Sequence, residues 1–298
     1  MDLDKLLEKH RLEEKRLEWE GSFGEYLDMV IKNPKLTRLS HARIYDMIMA
    51  AGTDVNPFGE RQYKLFSSEL FGVERAIESL VEYFASAARR LEIRKRMLLL
   101  LGPPSTGKST IVALLKRGLE AYSRTDEGTL YAIKGCPMQE EPLHLIPEKL
   151  RAEFEKEYGI YIEGDLCPHC RYMVLKKYDG KVKDVLVKRG VLGEQEGTGI
   201  GTYVATEIAS QDISRLVGSM DMSFVGEDRI ETAGKAYRLD GELNIANRGI
   251  MEFIEMFKAD ELFLTVLVSV TQEQSIKMER FGTTYADEVI IAHSNEAE

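Results

Sequence analysis

An α/β fold with a parallel sheet flanked by helices is predicted by three adjoining features of this 298-residue chain. The run Met97-Leu98-Leu99-Leu100-Leu101 is short and wholly apolar, as a strand buried on both faces is. Residues 102 to 109 read GPPSTGKS, a complete G-x-x-x-x-G-K-[ST] string. Thr110 to Arg117 then carries no breaker and has the apolar content of a helix packed on a sheet. Strand, glycine-rich turn and helix in that order form a phosphate-binding loop, because consecutive backbone N–H groups converge on a polyphosphate with the positive helix end behind them. The expected fold is therefore a P-loop NTPase. Within Gly102, Pro103, Pro104, Ser105, Thr106, Gly107, Lys108, Ser109 and Thr110, the Lys108 amine is expected to reach the β- and γ-phosphates of ATP. The Ser109 hydroxyl is expected to ligate Mg²⁺.

Taken from the N-terminus, residues 3 to 32 have helical period, with an interrupted apolar stripe from Leu3 to Ile31 that Pro34 ends. The Gly-, Asn-, Asp- and Pro-rich stretch Ala50 to Arg61 reads as a connection. Residues 1–60 thus form an N-terminal helical segment, and 61–298 the nucleotide-binding core. A helix follows Leu70-Phe71-Gly72, with Val73, Ala76, Ile77, Leu80, Phe84, Ala87 and Leu91 on its apolar face. Leu130-Tyr131-Ala132-Ile133 is a candidate second strand, and residues 135 to 195 read as an insertion. Gly193 to Gly201, GEQEGTGIG, reads as a flexible loop rather than a second phosphate loop. Gln211 to Val217 is expected to be helical, and Gly234 to Asp240 a strand stopping at a carboxylate. Asn247 to Phe257 has helical spacing. ELFLTVLVSVTQE after Asp260 is ambiguous between helix and strand. Ser275 to Asp287 suggests a hairpin turning near Gly282, and Val289 to Ala292 a strand ending in His293-Ser294-Asn295.

Composition narrows the function. Fifty acidic against forty basic residues give a formal charge of −10 with no long basic run, which disfavours a nucleic-acid or anionic-membrane surface. No apolar run approaches the roughly 18 residues of a membrane span. A cytoplasmic protein is expected. Three cysteines, an odd count with no signal peptide before them, argue against a disulfide framework.

A P-loop ATPase needs a strand-terminal carboxylate near Mg²⁺ and a second to orient the attacking water. Asp240 and Glu242 are the candidates, Asp240 for the metal and Glu242 for the water, although Arg238 interrupts the strand and Gly241 separates the acids. Asp287-Glu288 is the alternative pair, but it precedes an apolar run instead of following one. Asn295, just past the last strand, could reach the γ-phosphate or the attacking water. Cys167-Pro168-His169-Cys170 is a C-x₂-C knuckle. With Cys136 and His144 upstream it could close a Cys₃His site around Zn²⁺, with His169 as the other possible fourth ligand and a metal-free thiol pair as the alternative.

LFGVE, GPPSTGKST, LDGEL, ANRGIMEFIEMFK, TQEQ and IIAHSNEAE, in that order, resemble the N-terminal ATPase domain of the PrkA family over nearly the whole chain. These bacterial proteins are named as serine protein kinases and are built on an AAA+ module. The resemblance implies that Phe71 and Gly72 border the adenine pocket, that Asp240 and Glu242 form the second acidic motif, and that Asn295 is a sensor. It also implies a ring-forming homo-oligomer acting on a protein partner. The helical lid and arginine finger of such modules would lie beyond residue 298, so the chain reads as a piece of a longer protein. No protein-kinase motif occurs in it. The expected function is an ATP-hydrolysing AAA+ module that couples nucleotide state to a downstream protein-directed activity. The alternatives are a nucleotide-responsive regulatory module with little turnover, and a remodelling motor serving an attached protease.

Overall fold

The computed structural model describes residues 3–205, 212–221, 223, 234–278 and 282–295. Four parallel strands carry the site: β4 (Leu98–Leu101), β7 (Ile200–Val204), β10 (Ile250–Ile254) and β13 (Val289–Ser294), in the order β4-β13-β10-β7. The register sets Ile291 to Ser294 beside Leu98 to Leu101, and Ile250 to Ile254 beside Val289 to His293. The carboxyl ends of three adjacent strands therefore lie level, and the chain's first and last strands of this sheet are neighbours. Open α/β sheets bind ligands at such a switch of strand order.

Side chains alternate across these strands. Ile250, Val289 and Ile291 face a core built with Ile44, Met47 and Ile48 of α3 (Ser40–Ala50), Ile77, Leu80 and Phe84 of α5 (Glu74–Ala88), and Ile111 and Leu115 of α6 (Lys108–Ser123). Met251, Phe253, Ile290 and Ala292 face the other core, shared with Phe263, Leu267 and Val270 of the helix Glu261–Glu273. The ambiguous segment after Asp260 is thus a helix, capped by the Asp260 carboxylate accepting from Leu262 N. Helix α3, before residue 60, shares its core with α6.

Several local expectations are corrected. Residues 3 to 32 are not one helical stretch. Helix α1 (Leu3–Leu17) ends before β1 (Glu20–Ser22), and Ser22 then caps α2 (Phe23–Lys32) by accepting from Glu25 N. Trp19 explains the break, because its ring stands edge-on to Tyr131 at 5.0 Å and draws the chain onto a second sheet. That sheet is antiparallel, in the order β1-β6-β5, with β5 (Leu130–Ile133) and β6 (Leu186–Gly190). Leu130 to Ile133 is a strand as read, but outside the parallel sheet. The insertion supplies its partner and the helices α7 (Glu148–Tyr158) and α8 (Pro168–Lys177). The connection after Ala50 holds a small hairpin of β2 (Thr53–Val55) and β3 (Arg61–Tyr63), followed by the single turn α4 (Lys64–Ser67). The end of the expected glycine-rich loop, Ile200 and Gly201, belongs to β7. A Cβ on Gly201 would come 2.4 Å from Glu242 O, so glycine lets the helix Glu242–Ile245 lie against the strand.

Gly234 to Asp240 is not a strand of the parallel sheet. Only β9 (Tyr237–Arg238) pairs, antiparallel to β8 (Ser219–Met220). Asn247 to Phe257 is not a helix: it contains β10. The helix read over Gln211 to Val217 is described only as α9 (Ser214–Val217), and Gln211 lies outside the described residues. The hairpin is present as β11 (Ser275–Met278) against β12 (Gly282–Tyr285), its tip at 279–281 outside the described residues.

Candidate functional site

The loop after β4 turns on Ser105 and Gly107, with φ of 66° and 86°, and hands over to α6 at Lys108. Positive φ suits glycine, and a Cβ at 107 would also meet Leu70 Cδ2 at 2.8 Å. Leu70 brings Phe71 and Gly72 beside the loop, where the Phe71 ring is 76% exposed. Thr106 Oγ1 donates to Pro103 O at 2.8 Å, fixing the turn. The N–H groups of Ser105 to Thr110 have no backbone acceptor among the described residues, as the orphan donors of a helix start do not. Lys108 Nζ curls onto the loop, donating to Gly102 O at 2.5 Å and Pro103 O at 2.7 Å. It also lies 3.5 Å from Asn295 Oδ1. Ser109 is exposed on the first turn of α6.

Asn295 follows β13 directly, and its Nδ2 lies 3.5 Å from Glu255 Oε1. Glu255 follows β10 and adopts a left-handed conformation, φ 58° and ψ 49°, while its N–H donates to His293 O at 2.9 Å. That turn ends the strand and lifts the carboxylate to the sheet's edge. Lys108, Asn295 and Glu255 thus form one chain of contacts across the ends of β4, β13 and β10. Glu255 was not among the expected residues. A signal existed: Glu255 stands directly after the apolar-rich strand Ile250–Ile254, where a catalytic carboxylate belongs, with Ile254 in place of a preceding acid.

The residues expected in that role lie elsewhere. Asp240 is exposed in the turn after β9. Glu242 opens the helix Glu242–Ile245, and its Oε2 accepts from Thr202 N at 2.9 Å in the middle of β7. Among the described residues neither carboxylate bonds to Lys108, Ser109 or Asn295. Asp287 and Glu288 precede β13, at the opposite end of the sheet. Asp287 accepts from Ser40 N and Oγ at 2.9 and 2.7 Å. Glu288 is buried without a partner for either oxygen among the described residues, and burial beside Asp287 pushes its carboxyl well above the usual range.

Beneath the loop a buried charge network joins the same three elements. Lys116 of α6 pairs with Glu252 of β10, and Glu252 Oε1 meets His293 Nε2 of β13 at 2.9 Å. Lys116 also donates to Glu194 Oε1 at 2.8 Å and Thr202 Oγ1 at 2.5 Å. Burial opposes ionisation of Glu252, yet the His293 bond and the Lys116 charge hold its carboxyl below the usual range.

In the insertion, Cys136, Cys167 and Cys170 do converge. His144 does not join them: Glu140 fills the fourth place, and the His144 ring bridges Glu140 Oε1 at 3.2 Å and Glu163 O at 2.8 Å.

A parallel sheet whose edge strand feeds a phosphate loop, with a polar residue past the neighbouring strand, defines a P-loop NTPase of the AAA+ class. The chain belongs to the PrkA AAA domain family, whose family model matches residues 21–298. It is 52% identical over its whole length to the ATP-dependent protease PrkA of Bacillus subtilis (strain 168), spanning 47% of that protein. It is 33% identical over 77% of its length to the serine/threonine kinase YeaG of Escherichia coli (strain K12), spanning 36% of that protein. A solved complex of magnesium chelatase subunits BchI and BchD matches 75% of this chain and 52% of its own at 19% identity, with a TM-score of 0.43. Among the described residues no helix is long and apolar enough to cross a membrane.

Proposed function

We propose that the chain binds ATP with Mg²⁺ at Gly102 to Thr110 and hydrolyses it, with Glu255 orienting the attacking water and Asn295 contacting the terminal phosphate. The observation that carries this reading is the contact chain Lys108–Asn295–Glu255 at the ends of three adjacent strands. The loop fits a polyphosphate: among the described residues its N–H groups from Ser105 to Thr110 are without backbone acceptors, and Lys108 bonds to loop carbonyls and neutral side chains. Ser109 would hold Mg²⁺, which when bound neutralises phosphate charge. This chain's own work is positioning. Lys108 swings from carbonyl oxygens to phosphate oxygens, Asn295 is released to the terminal phosphate, and Glu255 accepts a hydrogen bond from the water. The role expected of Glu242 passes to Glu255, because Glu242 is engaged with the backbone of β7.

The finer reading is a module whose nucleotide state drives a protein-directed activity in a longer, ring-forming protein. The family membership and the relatives' names, a protease and a kinase, support it. A module that binds without appreciable turnover is the second reading, favoured by Ile254 standing where an acid would precede Glu255. ATP affinity and turnover in the wild type, Lys108→Ala and Glu255→Gln decide between them. Lys108→Ala should weaken ATP binding by about 1.5–3 kcal/mol, the worth of a charge-assisted contact. Hydrolysis lost in both variants selects the ATPase, and unchanged affinity in Lys108→Ala removes the site.

A further inference from the structure

All three cysteines of the chain meet at one point, although Cys136 and Cys167 are 31 residues apart. Cys136 sits in the turn after β5. Cys167 is the N-cap of α8, its Sγ accepting from Cys170 N at 3.4 Å in the sulfur-to-amide turn of a metal knuckle. Glu140 completes the group, and the four ligand atoms lie within 4.8 Å of one another. Each of these residues is at most 3% exposed.

We propose that Cys136, Cys167, Cys170 and Glu140 form a closed, structural Zn²⁺ site that clamps the turn after β5 to the start of α8. The spacing is that of a tetrahedral zinc shell. Zn–S bonds of about 2.3 Å and Zn–O bonds of about 2.1 Å put ligand sulfurs about 3.8 Å apart, and sulfur and oxygen about 3.6 Å apart. Cys136 Sγ lies 3.9 Å from both Cys167 Sγ and Glu140 Oε2. The two Glu140 oxygens have divided roles: Oε1 accepts from Cys167 N at 2.7 Å and meets His144 Nδ1, while Oε2 turns to the sulfurs. His144, anchored at its other nitrogen by Glu163 O, is a positioning residue that aims the carboxylate.

The donor set selects the metal. Three thiolates exclude the oxygen-seeking Mg²⁺ and Ca²⁺, a four-cysteine iron–sulfur cluster lacks its fourth sulfur, and four protein ligands leave no open position for catalysis. Binding breaks three S–H bonds as three Zn–S bonds form, and the three protons go to solvent. This inference is independent of the nucleotide site.

The test is metal content of the full chain purified in reductant without chelator, with zinc affinity measured by dye competition and Co²⁺ titration of the apoprotein. The expected result is about one zinc per chain, with strong thiolate-to-cobalt charge transfer in the wild type. Cys167→Ser and Cys170→Ser should each lose the metal, and Glu140→Gln should weaken it more than His144→Ala does. His144→Ala should keep about one zinc per chain at roughly 10- to 100-fold lower affinity. The wild-type cobalt spectrum needs no variant to fold. Three outcomes overturn the proposal: no zinc or cobalt uptake by reduced wild type, a Cys136–Cys167 disulfide in the protein as isolated, or a site that survives Glu140→Gln intact and is abolished by His144→Ala.

Discussion

Substituting Glu255 and Glu242 in parallel separates chemistry from architecture. Glu255→Gln keeps the side chain's shape, the left-handed backbone at 255 and a carbonyl that can still face Asn295, but removes the charge proposed to hold the water. A positioned proton acceptor contributes typically 10²- to 10⁴-fold, so turnover should fall by about that factor, or roughly 3–5 kcal/mol of barrier. ATP affinity should hold, since Lys108 and the loop N–H groups are untouched. Stability should stay within about 0.5 kcal/mol, because among the described residues the part-buried Glu255 side chain makes long or solvent-screened contacts. Glu242→Ala should do the reverse. It strips the acceptor from Thr202 N and costs about 1–3 kcal/mol of stability, leaving the chemical step nearly unchanged. Single-turnover hydrolysis, nucleotide calorimetry and urea unfolding on the same preparations read all three quantities. Loss of turnover in Glu242→Gln, which retains the Thr202 contact, with wild-type rates in Glu255→Gln, would refute the assignment.

Two further outcomes concern stability. Lys116→Met leaves the buried Glu252 charge without its cation, the His293 bond remaining, and should cost about 3–5 kcal/mol in urea unfolding, whereas adding Glu252→Leu should recover much of it; equal loss in both would mean that packing, not charge, sets the effect. Burial depresses the His41 pKa to about 4 against an ordinary value near 6.5, so below that value the unfolded chain binds the extra proton and stability falls with pH. Between pH 7 and 5 the loss is about 2 kcal/mol, levelling off below pH 4, and it should appear as a pH-dependent difference between wild type and His41→Gln; a pH-independent difference would rule it out.

The loop from Gly102 to Thr110 was legible as a strand-turn-helix because nine consecutive residues specify it. Glu255 was not, because β10 is a parallel strand buried on both faces. Such strands do not alternate, and the apolar positions of Ile250 to Phe257 fit a helix equally well. Gly249 before the run and the shortness of the apolar core, five residues, were the available arbiters. Tyr237-Arg238 misled in the opposite sense: a short β segment ending in acids looks catalytic until its antiparallel partner, Ser219-Met220, is seen. Strand identity at Leu130 to Ile133 was readable and its sheet was not, since the partner β6 lies beyond a whole insertion. The cysteine knuckle was local and plain, but Glu140 is one of fifty acidic residues, and only the fold singles it out.

What the fold adds is the use of both faces of one strand end. Glu252 and Glu255 are three residues apart, yet period-two alternation turns Glu252 into the layer beneath α6, while the left-handed turn at 255 carries the second carboxylate out over the sheet edge. The same holds on β13, where His293 points into the buried network and Asn295 reaches Lys108. Lys116 stands eight residues along α6 from Lys108, about 12 Å down the helix that the phosphate loop opens. The helix start, the carboxylate strand and the Asn295 strand are therefore pinned to one another by buried ion pairs directly below the three groups proposed to meet the nucleotide. Separating any of these elements would expose an unpaired charge to the core, a penalty of several kcal/mol. Lys108, Asn295 and Glu255 are thus held to one frame, the preorganisation that the proposed hydrolysis, driven by positioning, would require.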